Sequence, residues 1–461
     1  MRIVSLALAM LALTACTAAP LREPVPVRSA ALDRSVRVAA SLRPVVRLKG
    51  AAEERHSIAQ RMERYRTPGV SVAVVDGGKL VWASGFGVTE RGKASAVTPA
   101  TLFQAASISK AVTATATLRL AENKAFSLDE DVNHYLTSWQ VPESEFTAAE
   151  KVTLRRLMSH TAGVGLHGFL GYASDDTLPT VAQILDGKPP ANTPPIRVTA
   201  VPGSKLSYSG GGVLIEQLVL TDVTGKPFPD LMRELVLVPA GMRESTFEEP
   251  LSPAAARHAA SAHDASGAPL RGRFFVYPEM AAAGLWSTPS DLVAWAMAIA
   301  DARAGRPLAV LSQASAQAML TPQKGPLGLG PIVRGEGRAL RFGHSGWAEG
   351  AHAEVVYFPE LGMGAAVMVN GASGRPLVRE ILYAIAAEYA WPGFEPDVVA
   401  PVEVETNTKE ALVGTYGATV DGAHVDVVVR REGEELVLES KRLGVSSAIL
   451  FVSGTSFIVR D

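Results

Sequence analysis

The spacing of apolar residues changes character several times along this chain, and each change marks a boundary. After Met1-Arg2 comes the mostly apolar run Ile3 to Leu13, too short for a bilayer span of about 20 residues and readable as the core of a secretory leader. Thr17 to Gly50 holds Pro20, Pro24, Pro26 and Pro44 among many arginines. It sustains neither a 3.6 nor a 2.0 period and reads as a flexible tether with at most a short helix. Glu53 to Tyr65 suits a helix. Val70 to Val75 and Leu80 to Ala83, separated by Asp76-Gly77-Gly78, predict a β-hairpin. A long helical and loop region follows. Ala111 to Asn123 lacks Pro and Gly and places Ala111, Ala114, Leu118 and Ala121 on one helical face,. Val213 to Leu220 is a second apolar helical run. Leu292 onward is a third, with Thr288 as N-cap, Pro289 at the first helical position and Asp291 as the acid reaching back,. Strands return at His352 to Phe358 and Met363 to Asn370, and Pro376 to Tyr389 closes the region as a helix.

Two early strands, a helical middle, then strands and a final helix predict an α+β fold: an antiparallel sheet flanked by helices, with an inserted, mainly helical region. Beyond Trp391-Pro392 the pattern shifts again. Gly414 to Tyr416, Val425 to Val429, Leu436 to Leu438, Ala448 to Val452 and Phe457 to Val459 are short strands divided by glycine turns,. They predict a small all-β domain, near the lower size limit for independent folding and therefore expected to pack on the main domain. The division is thus a leader over 1–16, a tether over 17–50, a main domain over 51–395 and the small β domain over 400–461.

Composition changes this picture little. The 461 residues are 47% hydrophobic and 20% charged, with a formal net charge of -2, so nothing favours a nucleic-acid partner. The single cysteine, Cys16, ends Leu13-Thr14-Ala15-Cys16 directly after the leader, and one cysteine excludes an internal disulfide. No His-Glu-x-x-His and no close histidine spacing occurs, so no metal or other cofactor is expected.

The candidate chemistry begins at Ser107-Ile108-Ser109-Lys110. On a helix, residues three apart lie one turn apart on one face, with Cβ atoms about 5–6 Å from each other, so a nucleophile and a base are paired by local geometry. A serine in the first turn also has its N–H free of intrahelical partners, at the positive end of the helix dipole. Tyr208 precedes Gly210-Gly211-Gly212 at the entry to the second helical run, and His344-Ser345-Gly346-Trp347 lies on an expected edge strand. Each motif taken singly is weak. A solvated Ser-x-x-Lys helix, a packed turn tyrosine and a strand histidine are all common.

In that chain order, however, Ser107 with Lys110, Tyr208, and His344-Ser345-Gly346 resemble the superfamily of class C β-lactamases and penicillin-binding proteins, with its related esterases and D-aminopeptidases. Ser159-His160-Thr161-Ala162-Gly163 and Gly284-Leu285-Trp286-Ser287-Thr288 are similar to two further segments of that family, and the resemblance spans about Arg55 to Tyr389. It implies that Ser107 is the acylated nucleophile, that Lys110 and Tyr208 handle the proton, and that the N–H groups of Ser107 and Trp347 form an oxyanion hole beside His344, Ser345 and Gly346. Two positions depart from the lactamase pattern. Gly210 stands where those enzymes carry an asparagine, and His344 stands where they carry a lysine. A histidine of ordinary pKa about 6.5 is mostly neutral at pH 7 and a poor site for the carboxylate of a penicillin or a D-alanine terminus.

The expected activity is therefore serine hydrolysis of esters, small amides or D-amino-acid peptides, with small-molecule substrates. The alternatives are a non-catalytic module that kept the fold, and a true β-lactamase. Cys16 also resembles the acylated cysteine of bacterial lipoproteins, which implies a lipid anchor on the periplasmic side of the cell envelope, at the outer membrane. The loops at His167 to Pro179 and Lys188 to Arg197 are expected to wall the pocket. Nothing in the chain indicates an oligomeric state.

Overall fold

The computed structural model describes residues 30–307, 310–420, 423–440, 445–454 and 456–459, so the apolar leader and Cys16 lie outside the described residues. The hairpin of β1 (Gly69–Asp76) and β2 (Lys79–Gly87) turns through Gly77 and Gly78 at φ +58° and +70°, where an L side chain is disfavoured. From the far end of the chain come β3 (Ile332–Arg334), β4 (Arg341–Ala348), β5 (Ala351–Phe358) and β6 (Met363–Val369). They join the hairpin in one sheet of order β2-β1-β6-β5-β4-β3, antiparallel at every step. The two ends of the domain meet at β1 and β6, with Ala73 opposite Ala366.

Helices α1 (Ala30–Ala40), α2 (Ile108–Glu122), α3 (Gly210–Thr224), α4 (Pro289–Arg303) and α5 (Arg375–Tyr389) surround this sheet. β1 explains the layering. Its valines run continuously because both faces are buried: Val70, Val72 and Val74 pack in the core that holds α5, whereas Ala73 and Val75 pack in the core that holds α2, α3 and α4.

The tether assignment fails over its described part. Residues 30–40 form α1, whose Val38, followed by Leu42, is buried against α5. Arg37 bonds Glu388 at 2.6 Å and the Arg34 guanidinium sits 4.7 Å from the centre of the Tyr389 ring. Val46–Leu48 then pairs in parallel with Asp397–Val399. The apolar stripe is only one residue wide and is set among arginines, so it leaves no visible period. The main domain accordingly begins near residue 30 rather than 51.

Smaller corrections concern helix starts. The first helix of the expected main domain runs Ile58–Arg64, set by a capping box between Ser57 and Gln60, not from Glu53. Thr288 does cap α4 by accepting from the Asp291 N–H. The Asp291 carboxylate does not reach back, because it accepts from the N–H of Glu244 and from the Ser245 hydroxyl, both at 2.8 Å.

The C-terminal strands β7 (Gly414–Val420), β8 (Ala423–Glu432), β9 (Glu435–Ser440), β10 (Val445–Phe451) and β11 (Phe457–Val459) form a five-stranded antiparallel meander in chain order. Val429, Leu436, Ile449 and Phe451 make a core of their own. Where docking on the main domain was expected, the sheet's leading segment covers this core through Val404 and Leu412.

Candidate active site

Ser107 stands at the N-cap of α2, immediately after Ala106, whose φ of +47° is unusual for a residue with a side chain,. That turn swings the chain from the short strand Phe103–Gln104 into the helix. It is held by bonds from Ala105 N to Leu285 O at 2.8 Å and from Ser109 Oγ to Ala106 O at 2.5 Å. Ser107 itself is half-buried and its N–H lies outside the helical ladder,.

Lys110, only 3% exposed, places its Nζ 3.0 Å from Ser107 Oγ and 2.7 Å from the Ala282 carbonyl. The one-turn spacing thus yields the expected contact, but Ala282 is a partner that only tertiary structure supplies. Ala282 belongs to a short turn, Met280–Ala283. Two helices hold that turn: Gln217 of α3 accepts from Ala281 N at 2.8 Å and donates to Pro278 O at 3.2 Å, and Thr113 of α2 donates to Ala281 O at 3.3 Å.

Tyr208 is brought to the same point. Its ring centre lies 5.2 Å from Lys110 Nζ, and three imidazoles surround it: His160 at 4.3 Å, His167 at 4.8 Å and His344 at 6.1 Å between ring centres. His160 is buried, in a left-handed conformation at φ +54°, and its Nδ1 accepts from Ser209 N at 3.1 Å. Nδ1 must therefore be bare and the ring neutral. Burial, then the charge of Lys110, pushes its pKa well below the ordinary value. Ser209 caps α3 by accepting from Gly212 N at 2.8 Å and donates to Gly165 O at 2.9 Å.

The glycines after Tyr208 are explained by a close approach rather than by unusual φ. A Cβ on Gly210 would lie 3.0 Å from both His167 O and the Phe169 ring, and one on Gly211 would lie 2.7 Å from Gly165 O. The segment 165–169 thus occupies the space an asparagine at 210 would need. His167, which is exposed, belongs to that segment. This partly meets the expectation that the loop from His167 walls the site. The second wall loop ties to it, with Asn192 Nδ2 donating to Gly171 O at 2.8 Å.

β4 forms the opposite side. β3 pairs only with Arg341 to Gly343, so residues 344–348 are an open edge, as expected. Gly346 lies so near the nucleophile turn that a Cβ there would be 2.1 Å from Ala105 O. Ser345 is exposed and Trp347 half-buried. His344 is 5% exposed, and burial followed by the Lys110 charge pushes its pKa down to about 4.

Sequence reasoning quoted His160 only as part of a phrase, and it missed Gln217 and Glu279. Glu279 is fully buried, its two oxygens have no hydrogen-bond partner, and burial raises its pKa to about 8. No local pattern announces these residues. Their roles depend on turns contributed by distant parts of the chain.

A helix-borne serine and lysine, a tyrosine at a second helix entry and an edge strand closing the cleft define a serine hydrolase of the penicillin-recognising type. A family model described as Beta-lactamase matches residues 55–390, and the chain belongs to that family. Among its relatives, Penicillin-binding protein 4 of Amycolatopsis lactamdurans is 28% identical over 77% of this chain and 96% of its own length. A Beta-lactamase of Lysobacter lactamgenus is 29% identical over 50% of this chain and 56% of its own length. The Unguisins hydrolase ungD' of Aspergillus campestris is 25% identical over 68% and 60%. The fold is shared with an octameric penicillin-binding protein homologue from Pyrococcus abyssi, at a TM-score of 0.60 and 22% identity over 85% of this chain and 88% of the other.

Proposed function

We propose that this protein hydrolyses esters or small amides, D-amino-acid peptides included, through an acyl-enzyme on Ser107. The observation that carries this reading is the 3.0 Å contact of Lys110 Nζ with Ser107 Oγ, anchored at Ala282 O and facing the Tyr208 ring. A serine hydroxyl is a weak nucleophile until a neighbouring group takes its proton. Here the Lys110 and Tyr208 pair takes that proton as Oγ bonds to the substrate carbonyl carbon. The oxyanion then faces the N–H groups of Ser107 and Trp347, the first at the positive end of α2. Collapse expels the alcohol or amine, which receives the proton from the same pair. Water then attacks the acyl-enzyme by the reverse route and frees Ser107.

Penicillins are poor candidates on this reading, since the amide of an asparagine at 210 and the cation of a lysine at 344 are both absent. Mass spectrometry after treatment with a fluorophosphonate should show one covalent adduct that Ser107→Ala abolishes. Turnover of p-nitrophenyl esters should fall by about a thousandfold or more in Lys110→Ala. Absence of both adduct and turnover overturns the proposal, and nitrocefin hydrolysis at rates matching ester turnover would move the assignment to a β-lactamase.

A further inference from the structure

Within that hydrolytic reading, on which the present point rests, the imidazole of His344 carries information about the substrate. Its Nδ1 lies 2.6 Å from the Ser345 carbonyl oxygen. A carbonyl can only accept, so Nδ1 holds the proton and Nε2 presents a bare lone pair. Nε2 is closed off from solvent and has no hydrogen-bond partner. An unsatisfied buried acceptor is costly to maintain, and such atoms in folded proteins usually mark a group waiting for a partner.

The position of the ring tells which end of the substrate it meets. His344 is 6.1 Å from the Tyr208 ring and feels the charge of Lys110, the two groups that return a proton to the departing alcohol or amine. Trp347, whose N–H faces the carbonyl oxygen, is three residues further along β4, about 10 Å at strand spacing. The leaving group, not the acyl group, therefore extends toward His344. The groups packed around the ring are Lys110, Tyr208 and His160, and the imidazole of His160 is itself neutral with its proton on Nε2,.

We infer that His344 makes this site select a leaving group that is uncharged and carries a hydrogen-bond donor, and reject one that carries a carboxylate. A carboxylate placed there meets a lone pair in a dry recess, and like-sign contacts of that kind are unfavourable where water cannot screen them. An amide N–H or a hydroxyl in the same place completes the hydrogen bond that Nε2 lacks. The preferred substrates are thus neutral esters and amides, such as a peptide continued or blocked beyond the scissile bond, instead of those ending in a free carboxylate.

Three esters with one common acyl group and the leaving groups 3-hydroxybenzamide, methyl 3-hydroxybenzoate and 3-hydroxybenzoate test this. The wild-type kcat/KM should be highest for the carboxamide. It should fall by about tenfold for the methyl ester, the worth of one hydrogen bond to a buried acceptor, and further for the carboxylate. His344→Lys should invert the order of carboxamide and carboxylate. A wild-type enzyme that cleaves the carboxylate ester as fast as the carboxamide overturns the inference, and that comparison needs no variant to fold. An unchanged order in a folded His344→Lys protein overturns it equally. Failure of all three esters, with no acyl-enzyme mass on Ser107, would instead strike at the hydrolase reading itself.

Discussion

At the scale of single residues, the site is decided by how closely backbone can approach backbone. Gly210 differs from the asparagine of related lactamases, and the difference is not a simple deletion, since His167 O and the Phe169 ring already fill the space beside it. Gly210→Asn should therefore fail to confer lactamase activity. It should lower the melting temperature, with a cost of about 1–3 kcal/mol for forced displacement of the 165–169 segment, measurable by calorimetry alongside nitrocefin turnover. Gly346→Ala is expected to be harsher for catalysis. A methyl 2.1 Å from Ala105 O must push β4 away from the nucleophile turn. The oxyanion N–H groups separate as a result, and kcat for ester hydrolysis should drop by about 10²-fold, the effect of losing one oxyanion donor.

At the scale of elements, the catalytic lysine depends on contacts between helices. Gln217 of α3 satisfies both Pro278 O and Ala281 N, and so holds the turn whose Ala282 carbonyl receives Lys110 Nζ. Gln217→Leu leaves those two groups unpaired at a cost of about 2 kcal/mol. It should lower kcat with little change in KM, because it shifts the lysine and not the substrate. A change confined to KM would show that the turn has no such role. Elsewhere, Arg61 pairs with Glu380 of α5 in a buried site that also includes Tyr65. Arg61→Ala leaves a buried carboxylate without its cation, a loss of about 3–5 kcal/mol, to be read from denaturant unfolding. Activity of the surviving folded fraction should be unchanged, since the pair belongs to the helix layer on the far side of the sheet.

At the scale of the whole molecule, buried ionisable groups set the pH range of stability. Burial raises Glu216 and Glu279 to about 8 from an ordinary 4.5. The unfolded chain sheds those protons first, so stability falls as pH climbs through that interval. His344 and His352 are pushed down to about 4 from 6.5. The unfolded chain takes up protons first there, so stability falls as pH drops through that interval. Where the intervals overlap, the slopes oppose, and the protein should be most stable between 4.5 and 6.5. Glu279→Met removes one group from the alkaline side. Its melting temperature should gain on the wild type at pH 8 and not at pH 5.5, and an equal difference at both would show that Glu279 does not titrate as described. We also propose the lipid anchor at Cys16, outside the described residues. Cys16→Ala should release the protein from the membrane fraction, and labelled palmitate should mark only the unsubstituted chain. Among the described residues, no helix is long and apolar enough to cross a membrane.

Local periodicity determined what can be read one turn or one hairpin at a time. The Val70 to Val75 run with its Gly77-Gly78 turn, the α2 helix and the Ser107–Lys110 pair all follow from nearest neighbours along the chain, and the structure places them as expected. The order of the motifs was enough to place the chain in its family, with the antiparallel sheet and flanking helices that go with it. Only tertiary structure could decide the rest, because the deciding atoms lie far apart in sequence. Ala282 O reaches Lys110 from 172 positions away and Gln217 binds Ala281 N from 64. Helix α1 is stable through Glu388 and Tyr389 at the other end of the domain, so its own residues give no sign of it. Whether a histidine is charged depends on burial, which a linear pattern does not contain. His344 reads in sequence as a residue near its titration point, and the fold makes it a neutral acceptor held by Ser345 beneath Tyr208.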